Sequence, residues 1–306
     1  MSKLRYFSQY IQSPKNILAG LMNKFGQWLP DELFVKWKYW ISMDKKLNIS
    51  SPKTFNEKLN WQKLYDHNPL YTTLVDKYSV KKWVAEKIGD QYVIPTLAVW
   101  EKPEDIEWDT LPDQFVLKTT HGGGNIGVVI CKDKSGIDKS QAIKKLNYSM
   151  RQDAYTALRE WPYKNVQKRI IAEKFVEDQK TGELRDYKFF CTNGVVRALF
   201  IATGRQTNKE PYFDYYDADF NHLDLRQCHP MSGRQIEKPV CFEEMKRIAS
   251  ILSTGIPQVR VDLYEVNNRV YFGEMTFFHH GGVVPFHPES WDYTWGDWIT
   301  LPEKRI

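Results

Sequence analysis

From residue 54 onward the chain switches repeatedly between two hydrophobic periods, one of about 3.6 residues and one of about 2, which mark helices and strands. "SPKTFNEKLNWQKLYDH" opens a helix, with Thr54 and Glu57 spaced as a capping box whose hydroxyl and carboxylate satisfy free backbone N–H groups. A second helix is predicted near 76–88, stopped by Gly89, and "YVIPTLAVW" reads as a strand with Pro95 at an edge or bend. After an acidic loop, "FVLKTTHGGGNIGVVIC" gives strand, glycine loop, strand. "DKSQAIKKLNYSMRQDAYTAL" has helical spacing, and "RIIAEKFVED" is a short apolar strand that leaves into the polar loop "QKTGEL". "RDYKFFCTNGVVRALFIAT" alternates on both sides of Asn193-Gly194, a strong hairpin signal. "FEEMKRIASILSTG" is an amphipathic helix ended by Gly255, and "QVRVDLYEVNNRVYFGEMTFF" is a second hairpin turning at Asn267-Asn268. The tail, "HHGGVVPFHPESWDYTWGDWITLP", reads as irregular and aromatic. Antiparallel hairpins rather than a regular strand–helix alternation point to an α+β fold.

Composition changes this picture in one place. The 306 residues suffice for about two domains, without repeats or low-complexity tracts. No apolar run approaches the ~20 residues that span a bilayer. The opening "MSKLRYFSQYIQSPKNILAG" lacks the pattern of a secretory signal. Cys131, Cys191, Cys228 and Cys241 are widely separated, which favours reduced thiols and a cytoplasmic setting over a zinc site or disulfide framework. Charge, however, is uneven. Residues 1–46 hold eight Lys or Arg against three acids, and the rest of the chain holds 35 of each. That segment also carries Tyr6, Phe7, Tyr10, Phe25, Trp28, Phe34, Trp37, Tyr39 and Trp40. A basic aromatic segment suits an anionic membrane face or substrate, and equally a helical cap whose rings pack on the body while its lysines are solvated. A net-neutral body argues against nucleic acid.

Gly122, Gly124, Gly127 and Val129 satisfy G-x-G-x-x-G-x-V, which three nucleotide-binding architectures share. A dinucleotide fingerprint needs a helix directly after the glycines, and here "VVIC" follows. A Walker loop ends in Gly-Lys-Ser/Thr, and here Val128 follows Gly127. A protein kinase places its lysine after the loop and carries H-R-D and D-F-G; here Lys118 precedes the loop and neither tripeptide occurs. What remains is either an ordinary flexible turn or a loop whose backbone N–H groups cover phosphates that Lys118 reaches from the incoming strand; three adjacent glycines exceed the one or two positive-φ positions a plain turn needs.

In the second hairpin, Arg260 and Asp262 share one strand face, as do Glu274 and Thr276. Asp262 and Glu274 share a face only if the turn holds an odd number of residues or a bulge intervenes; Asn267 and Asn268 make a three-residue turn reasonable. Two convergent carboxylates without Cys or His suit Mg2+, and Arg260 would neutralise charge on a transferring phosphoryl group. Alternating charges on an exposed hairpin are the plainer reading. His121, His279 and His280 have no motif behind them, but His279-His280-Gly281-Gly282 follows the metal strand, where a substrate group would sit.

Together "KTFNEKLNWQKLYDHNP", "DKYSVKKWVAEKIGDQYVIPTL", the glycine loop, "IIAEKFVED", "RDYKFF" with "TNG", the second hairpin and "PFHPESWDYTWG" resemble the TupA-like, teichuronopeptide-type branch of the ATP-grasp superfamily, over roughly residues 50–300. The resemblance implies an ATP-grasp fold, in which two α+β subdomains clamp ATP. By that scheme residues 1–75 are a basic helical region, 76–110 a helix and strand before the grasp, 111–185 the lid subdomain and 186–306 the metal-bearing subdomain. It further implies that Lys77, Lys118 and the loop of Gly122, Gly123, Gly124 and Gly127 hold the ATP phosphates, with His121 taken into the same set. Glu173 would take the adenine amino group, with Lys174, Phe175 and Val176 as the hinge. Asp186 would hold the ribose, with Glu177 in reserve. Lys188 and Arg260 would be the catalytic cations, and Asp262, Glu274 and Thr276 the ligands of one or two Mg2+ ions. Thr276 departs from the asparagine of many relatives. His279, His280 and Gly281 would face the substrate.

The activity implied is an ATP- and Mg2+-dependent carboxylate–amine ligation through an acyl phosphate. Its partners would be an amino acid or amine and a uronic acid on a nucleotide- or lipid-linked sugar, in the assembly of a cell-surface polysaccharide. The setting would be cytoplasmic, with peripheral contact at the inner membrane face through the basic N-terminus. The alternatives are a sugar kinase of the same fold, or a glycosyltransferase or assembly partner using the D-x-D of Asp217-Ala218-Asp219.

Overall fold

The computed structural model describes residues 14–124, 126–179, 184–204 and 210–306. Tyr6, Phe7 and Tyr10 of the basic segment, Asn125 of the glycine loop and residues 180–183 of the polar loop lie outside them. Two antiparallel sheets organise the chain. The first holds β1 (Thr96–Trp100), β2 (Phe115–Thr119), β3 (Val128–Cys131) and β4 (Ile170–Lys174) in the order β1-β4-β2-β3. The second holds β5 (Asp186–Thr192), β6 (Val195–Thr203), β7 (Tyr212–Asp217), β8 (Val259–Val266) and β9 (Arg269–Thr276) in the order β7-β6-β5-β8-β9. β1 comes from residues 76–110, the stretch expected to precede the lid subdomain, and it pairs along β4 within the first sheet.

The helices follow the same logic of one buried face. α1 (Pro14–Phe25) and α2 (Asp31–Met43) precede α3 (Phe55–Tyr65), α4 (Leu70–Val75) and α5 (Ser79–Ile88). Met22, Phe34, Val35, Tyr39 and Met43 form a small core with Leu64 of α3, so part of the N-terminal aromatic set is structural. The capping box of α3 is formed: Glu57 N donates to Thr54 Oγ1 at 3.2 Å, and Thr54 N donates to Glu57 Oε2 at 3.1 Å. α6 (Lys139–Met150) covers the first sheet, where Leu146 joins Phe115, Leu117, Ile170 and Ala172 in a core. α8 (Phe242–Ser253) covers one face of the second sheet; Phe242, Met245, Ile248, Ala249 and Leu252 are all at most 1% exposed.

Three expectations are corrected. The stretch 138–158 is not one helix: Asp138 caps α6 through Gln141 N at 2.9 Å, and Asp153 starts α7 (Ala154–Leu158) by accepting Thr156 N at 3.1 Å. An aspartate that competes for backbone donors restarts the helix. The tail is not wholly irregular, because α9 (Ser290–Asp297) packs Trp295, with no exposed surface, against Phe55, Phe190 and Phe286. Third, the turn of the second hairpin holds two residues, not three. Asn267 and Asn268 have φ of 51° and 60°, as a type I′ turn requires.

Candidate active site

β2 alternates. Phe115 and Leu117 enter the core, while Val116 and Lys118 face the other side, where β4 places Glu173 opposite Val116. Glu173 is 5% exposed, and each carboxylate oxygen has its own cation: Lys118 at 2.5 Å and Lys81 of α5 at 2.5 Å. Burial raises the carboxyl pKa, but Lys118 and Lys81 outweigh it and hold Glu173 below the usual range. Burial also lowers the Lys81 ammonium, which donates to Ile94 O at 2.8 Å and Thr96 Oγ1 at 2.9 Å. Asp76 fixes the next cation. It accepts from Tyr78 N at 3.0 Å and from Arg169 Nη2 at 2.6 Å, and Lys77 N donates to Thr120 O at 3.0 Å. The Lys77 ammonium is thereby placed to donate to Gly122 O at 2.6 Å and to pair with Glu274 Oε2 at 3.1 Å.

The glycine loop lies close against the end of β2. A Cβ on Gly127 would stand 2.0 Å from Thr119 Oγ1 and 2.4 Å from Ser149 Oγ, two hydroxyls that are 2.7 Å apart. Gly123 and Gly124 are exposed, and Gly124 has φ +61°. His121 is buried under the loop, its Nε2 3.1 Å from Ser149 O, and it does not line the cleft.

On the second sheet, Lys188 of β5, Asp262 of β8 and Glu274 of β9 stand in one row across three strands. The row exists because of a bulge. Leu263 pairs Phe272 while Asp262 pairs Glu274, so Gly273 is left without an opposite residue. This restores the shared face that a two-residue turn alone would forbid. Asp262 has no exposed surface. It accepts from Arg260 Nε at 2.7 Å and Nη2 at 2.7 Å, and it pairs with Lys188. Arg260 Nη2 also donates to Thr276 Oγ1 at 3.0 Å, and Lys188 lies 3.3 Å from Asp186 Oδ2. Burial raises Glu274, but Lys77, Lys188 and Arg260 prevail and hold it well below the carboxylate range. The Glu274 side chain remains 31% exposed, so it is the carboxylate of this row that opens outward.

Behind Arg260 comes the two-histidine turn. Arg260 Nη1 donates to His279 Nδ1 at 2.9 Å, which leaves the imidazole proton on Nε2. Burial pushes His279 well below its usual pKa and His280 down to about 3. His280 and Gly281 have φ of 48° and 63°, and Lys63 of α3 donates to Gly281 O at 2.5 Å from beneath. Burial lowers Lys63 and raises its neighbour Glu160.

Both halves face one cleft of about 1080 Å3. From the first come Lys118 and Gly124 with Glu173, Lys174, Phe175 and Val176; from the second come Asp186, Lys188 and Glu274. Lys77, between α4 and α5, whose apolar faces pack in the second sheet's core, completes the lining. Asp262, Arg260 and Thr276 stand behind Glu274 rather than on the lining, and the His279–Gly281 turn lies further back. Sequence reasoning missed Lys81, although it lies four residues after Lys77, and it missed Lys63 altogether. Asp217-Ala218-Asp219 closes a local turn: Asp217 Oδ1 accepts Asp219 N at 2.9 Å and Asn221 N at 2.8 Å. Among the described residues no cluster of three or more His, Cys, Asp or Glu is arranged to hold a metal, and no helix is long and apolar enough to cross a membrane.

Residues 57–300 match the model of the TupA-like ATP-grasp family. A search of curated proteins finds no match. Similar solved structures include D-alanine–D-alanine ligase from Helicobacter pylori, at 14% identity and TM-score 0.40, with 75% of this chain and 61% of that one covered. The D-alanine–D-alanine ligase from Bacillus anthracis complexed with ATP is 13% identical at TM-score 0.39, covering 72% and 57%. N5-carboxyaminoimidazole synthase from Aspergillus clavatus is 13% identical at TM-score 0.38, covering 68% and 46%. The chain therefore spans roughly half to three-fifths of the length of these proteins.

Proposed function

The chain belongs to the TupA-like ATP-grasp family, and on that premise we propose that it is an ATP- and Mg2+-dependent carboxylate–amine ligase working through an acyl phosphate. One observation carries the reading. Lys118 of the first sheet and Lys188 and Glu274 of the second line a single cleft, and Lys77, just ahead of α5, joins them by donating to Gly122 O at 2.6 Å and pairing with Glu274 at 3.1 Å. A triphosphate is the ligand whose charge such cations would balance. In this scheme Lys77, Lys118 and the loop of Gly122, Gly124 and Gly127 take the phosphates. Glu173 and the Lys174–Val176 backbone take the adenine, and Asp186 the ribose.

The donors fit a hard divalent cation. They are carboxylate and hydroxyl oxygens, and Glu274 opens on the cleft with its charge already matched by an ammonium that an ion could replace. Glu274 would take Mg2+ from the cleft, and Asp262 and Thr276, whose oxygens Arg260 and Lys188 occupy, would join it by exchanging those partners; the ion would supply charge neutralisation to the phosphates.

The chemistry then balances. A substrate carboxylate oxygen attacks the γ-phosphorus, the bond from that phosphorus to the β–γ bridging oxygen breaks, and ADP leaves. An amine nitrogen attacks the acyl carbon, the carbon–oxygen bond to phosphate breaks, and an amide, phosphate and a proton result. Arg260, held flat by Asp262 and His279, offers a fixed cation to the charge that builds up during transfer. The carboxylate is assigned to a uronic acid on a nucleotide- or lipid-linked sugar and the amine to an amino acid, as part of cell-surface polysaccharide assembly. The two sheets are assigned as the two subdomains of the grasp. The test is incubation with Mg·ATP, a panel of uronic acids and amino acids, and product masses. An amide with one ADP per bond supports the ligase; a phosphorylated sugar formed without amine replaces it with a kinase.

A further inference from the structure

We propose that a second cavity, formed by the N-terminal helices and sharing no lining residue with the ATP cleft, binds an anionic saccharide chain. The cavity measures about 1040 Å3, comparable to the nucleotide cleft. Its walls are flat rings. Trp37 and Trp40 lie three apart on α2, and Trp61 and Tyr65 lie four apart on α3, so each pair shares a helix face. Its rim is basic. Lys36, Lys46 and Lys304 face a single acid, Glu32, which Lys36 already pairs at 2.5 Å and to which Tyr65 Oη donates at 3.3 Å. Lys304 reaches back from the C-terminal tail to lie 4.0 Å from the Tyr65 ring centroid. Six of its lining residues, Lys36 and Lys46 among them, come from residues 1–46, the segment that holds the whole net positive charge of the chain.

Ring faces beside the ammonium groups of Lys46 and Lys304 select a ligand with flat C–H faces and more than one anion. A chain of uronic acids has both. Purely apolar ligands would waste the lysines, and a polyphosphate would waste the rings. A bilayer is disfavoured as the occupant because the rings are recessed: Trp61 is 7% exposed, and Trp37, Trp40 and Tyr65 are half-buried. The link to catalysis rests on the proposed ligase reading, in which this site would hold the acidic chain on which the cleft acts; binding itself requires neither nucleotide nor turnover.

The test therefore omits ATP. Tetragalacturonate, maltotetraose as the neutral counterpart, and phosphatidylglycerol vesicles are each titrated, with binding read by calorimetry and tryptophan fluorescence. Tetragalacturonate should bind, at least tenfold more tightly than maltotetraose, and more weakly in high salt because exposed ion pairs are screened. Trp40→Ala and Lys304→Gln should each weaken it about tenfold, as the loss of one stacking or cationic contact predicts, with ATP binding unchanged. Lys46→Gln, at an exposed position, should do the same if Trp40→Ala does not fold. Equal affinity for maltotetraose, no binding of tetragalacturonate up to millimolar concentration, or binding to vesicles alone would overturn the assignment. So would self-association that Trp40→Ala abolishes, because the cavity would then be a contact between copies.

Discussion

Asp262 and Glu274 stand directly opposite each other on β8 and β9 because Gly273, next to Glu274, has no partner in the ladder. A Cβ at position 273 would lie 3.0 Å from Asp262 O and 2.9 Å from the Tyr264 ring. The first contact is with backbone and does not yield easily. Gly273→Ala is expected to cost about 1–3 kcal/mol, the usual range for overpacking, and to lower turnover by displacing Glu274. Urea unfolding together with the ligase assay checks this. Gly123→Ala, with nothing within 4 Å of the added carbon, should leave stability unchanged.

Glu173 is the hub of a buried charge triad with Lys81 and Lys118. Glu173→Gln removes the one anion that two enclosed ammonium groups share. The loss should be about 2–4 kcal/mol at pH 7, toward the lower end of values for broken buried pairs because both lysines keep some exposure. The pH dependence follows from the lowered carboxyl pKa. A carboxylate stabilised in the fold contributes fully above its unfolded value of about 4.5 and loses that contribution as pH falls through the lower folded value. Wild type should therefore lose stability steeply below pH 4.5, and the glutamine variant less so. Denaturant titrations at pH 7 and pH 4 distinguish the two profiles.

How much of this was legible depends on distance along the chain. The capping box of Thr54 and Glu57, the Asn193-Gly194 turn and the strands flanking the glycine loop are local, and sequence spacing reveals them. Parity showed that Asp262 and Glu274 needed an odd turn or a bulge. The left-handed tolerance of Asn267 and Asn268 serves either, and only the packed sheet selects the bulge at Gly273. The Lys81–Glu173 pair joins a helix to a strand some ninety residues later, and Lys63 meets Gly281 across 218 residues. No local pattern encodes such contacts. α9 escaped notice because its buried face is Trp295 beside Asp292 and Gly296, not a regular apolar stripe.

His280 gives a pH signature of the turn behind the site. Burial and then Arg260 hold its imidazole down to a pKa of about 3. Between pH 6.5 and 3 the unfolded chain takes up a proton that the folded chain refuses, so stability should fall as pH drops through that window. His280→Asn keeps the left-handed backbone, φ 48°, that asparagine tolerates. In urea midpoints collected from pH 7 to pH 4, the variant should lose about one proton of slope, about 1.4 kcal/mol per pH unit. An unchanged slope would mean that His280 is protonated in the fold.

On the proposed function, Arg260→Lys should separate nucleotide binding from phosphoryl transfer. The guanidinium makes two bonds to Asp262 at 2.7 Å, one to Thr276 at 3.0 Å and one to His279 at 2.9 Å, all set by its planar fork. An ammonium keeps the charge but cannot make these four bonds in one plane. Lys118 is held by Glu173, and Lys77 donates to Gly122 O besides pairing with Glu274, so losing the 3.6 Å contact between Arg260 and Glu274 still leaves each ammonium a partner. ATP affinity should therefore stay within about twofold. If Arg260 stabilises the charge that develops on the transferring phosphoryl group, kcat should fall about 100- to 1000-fold, as for loss of an aligned electrostatic donor. Calorimetric ATP titration beside steady-state kinetics gives both numbers from one preparation. A variant that retains kcat but loses ATP affinity would move Arg260 from the transfer step to the nucleotide site.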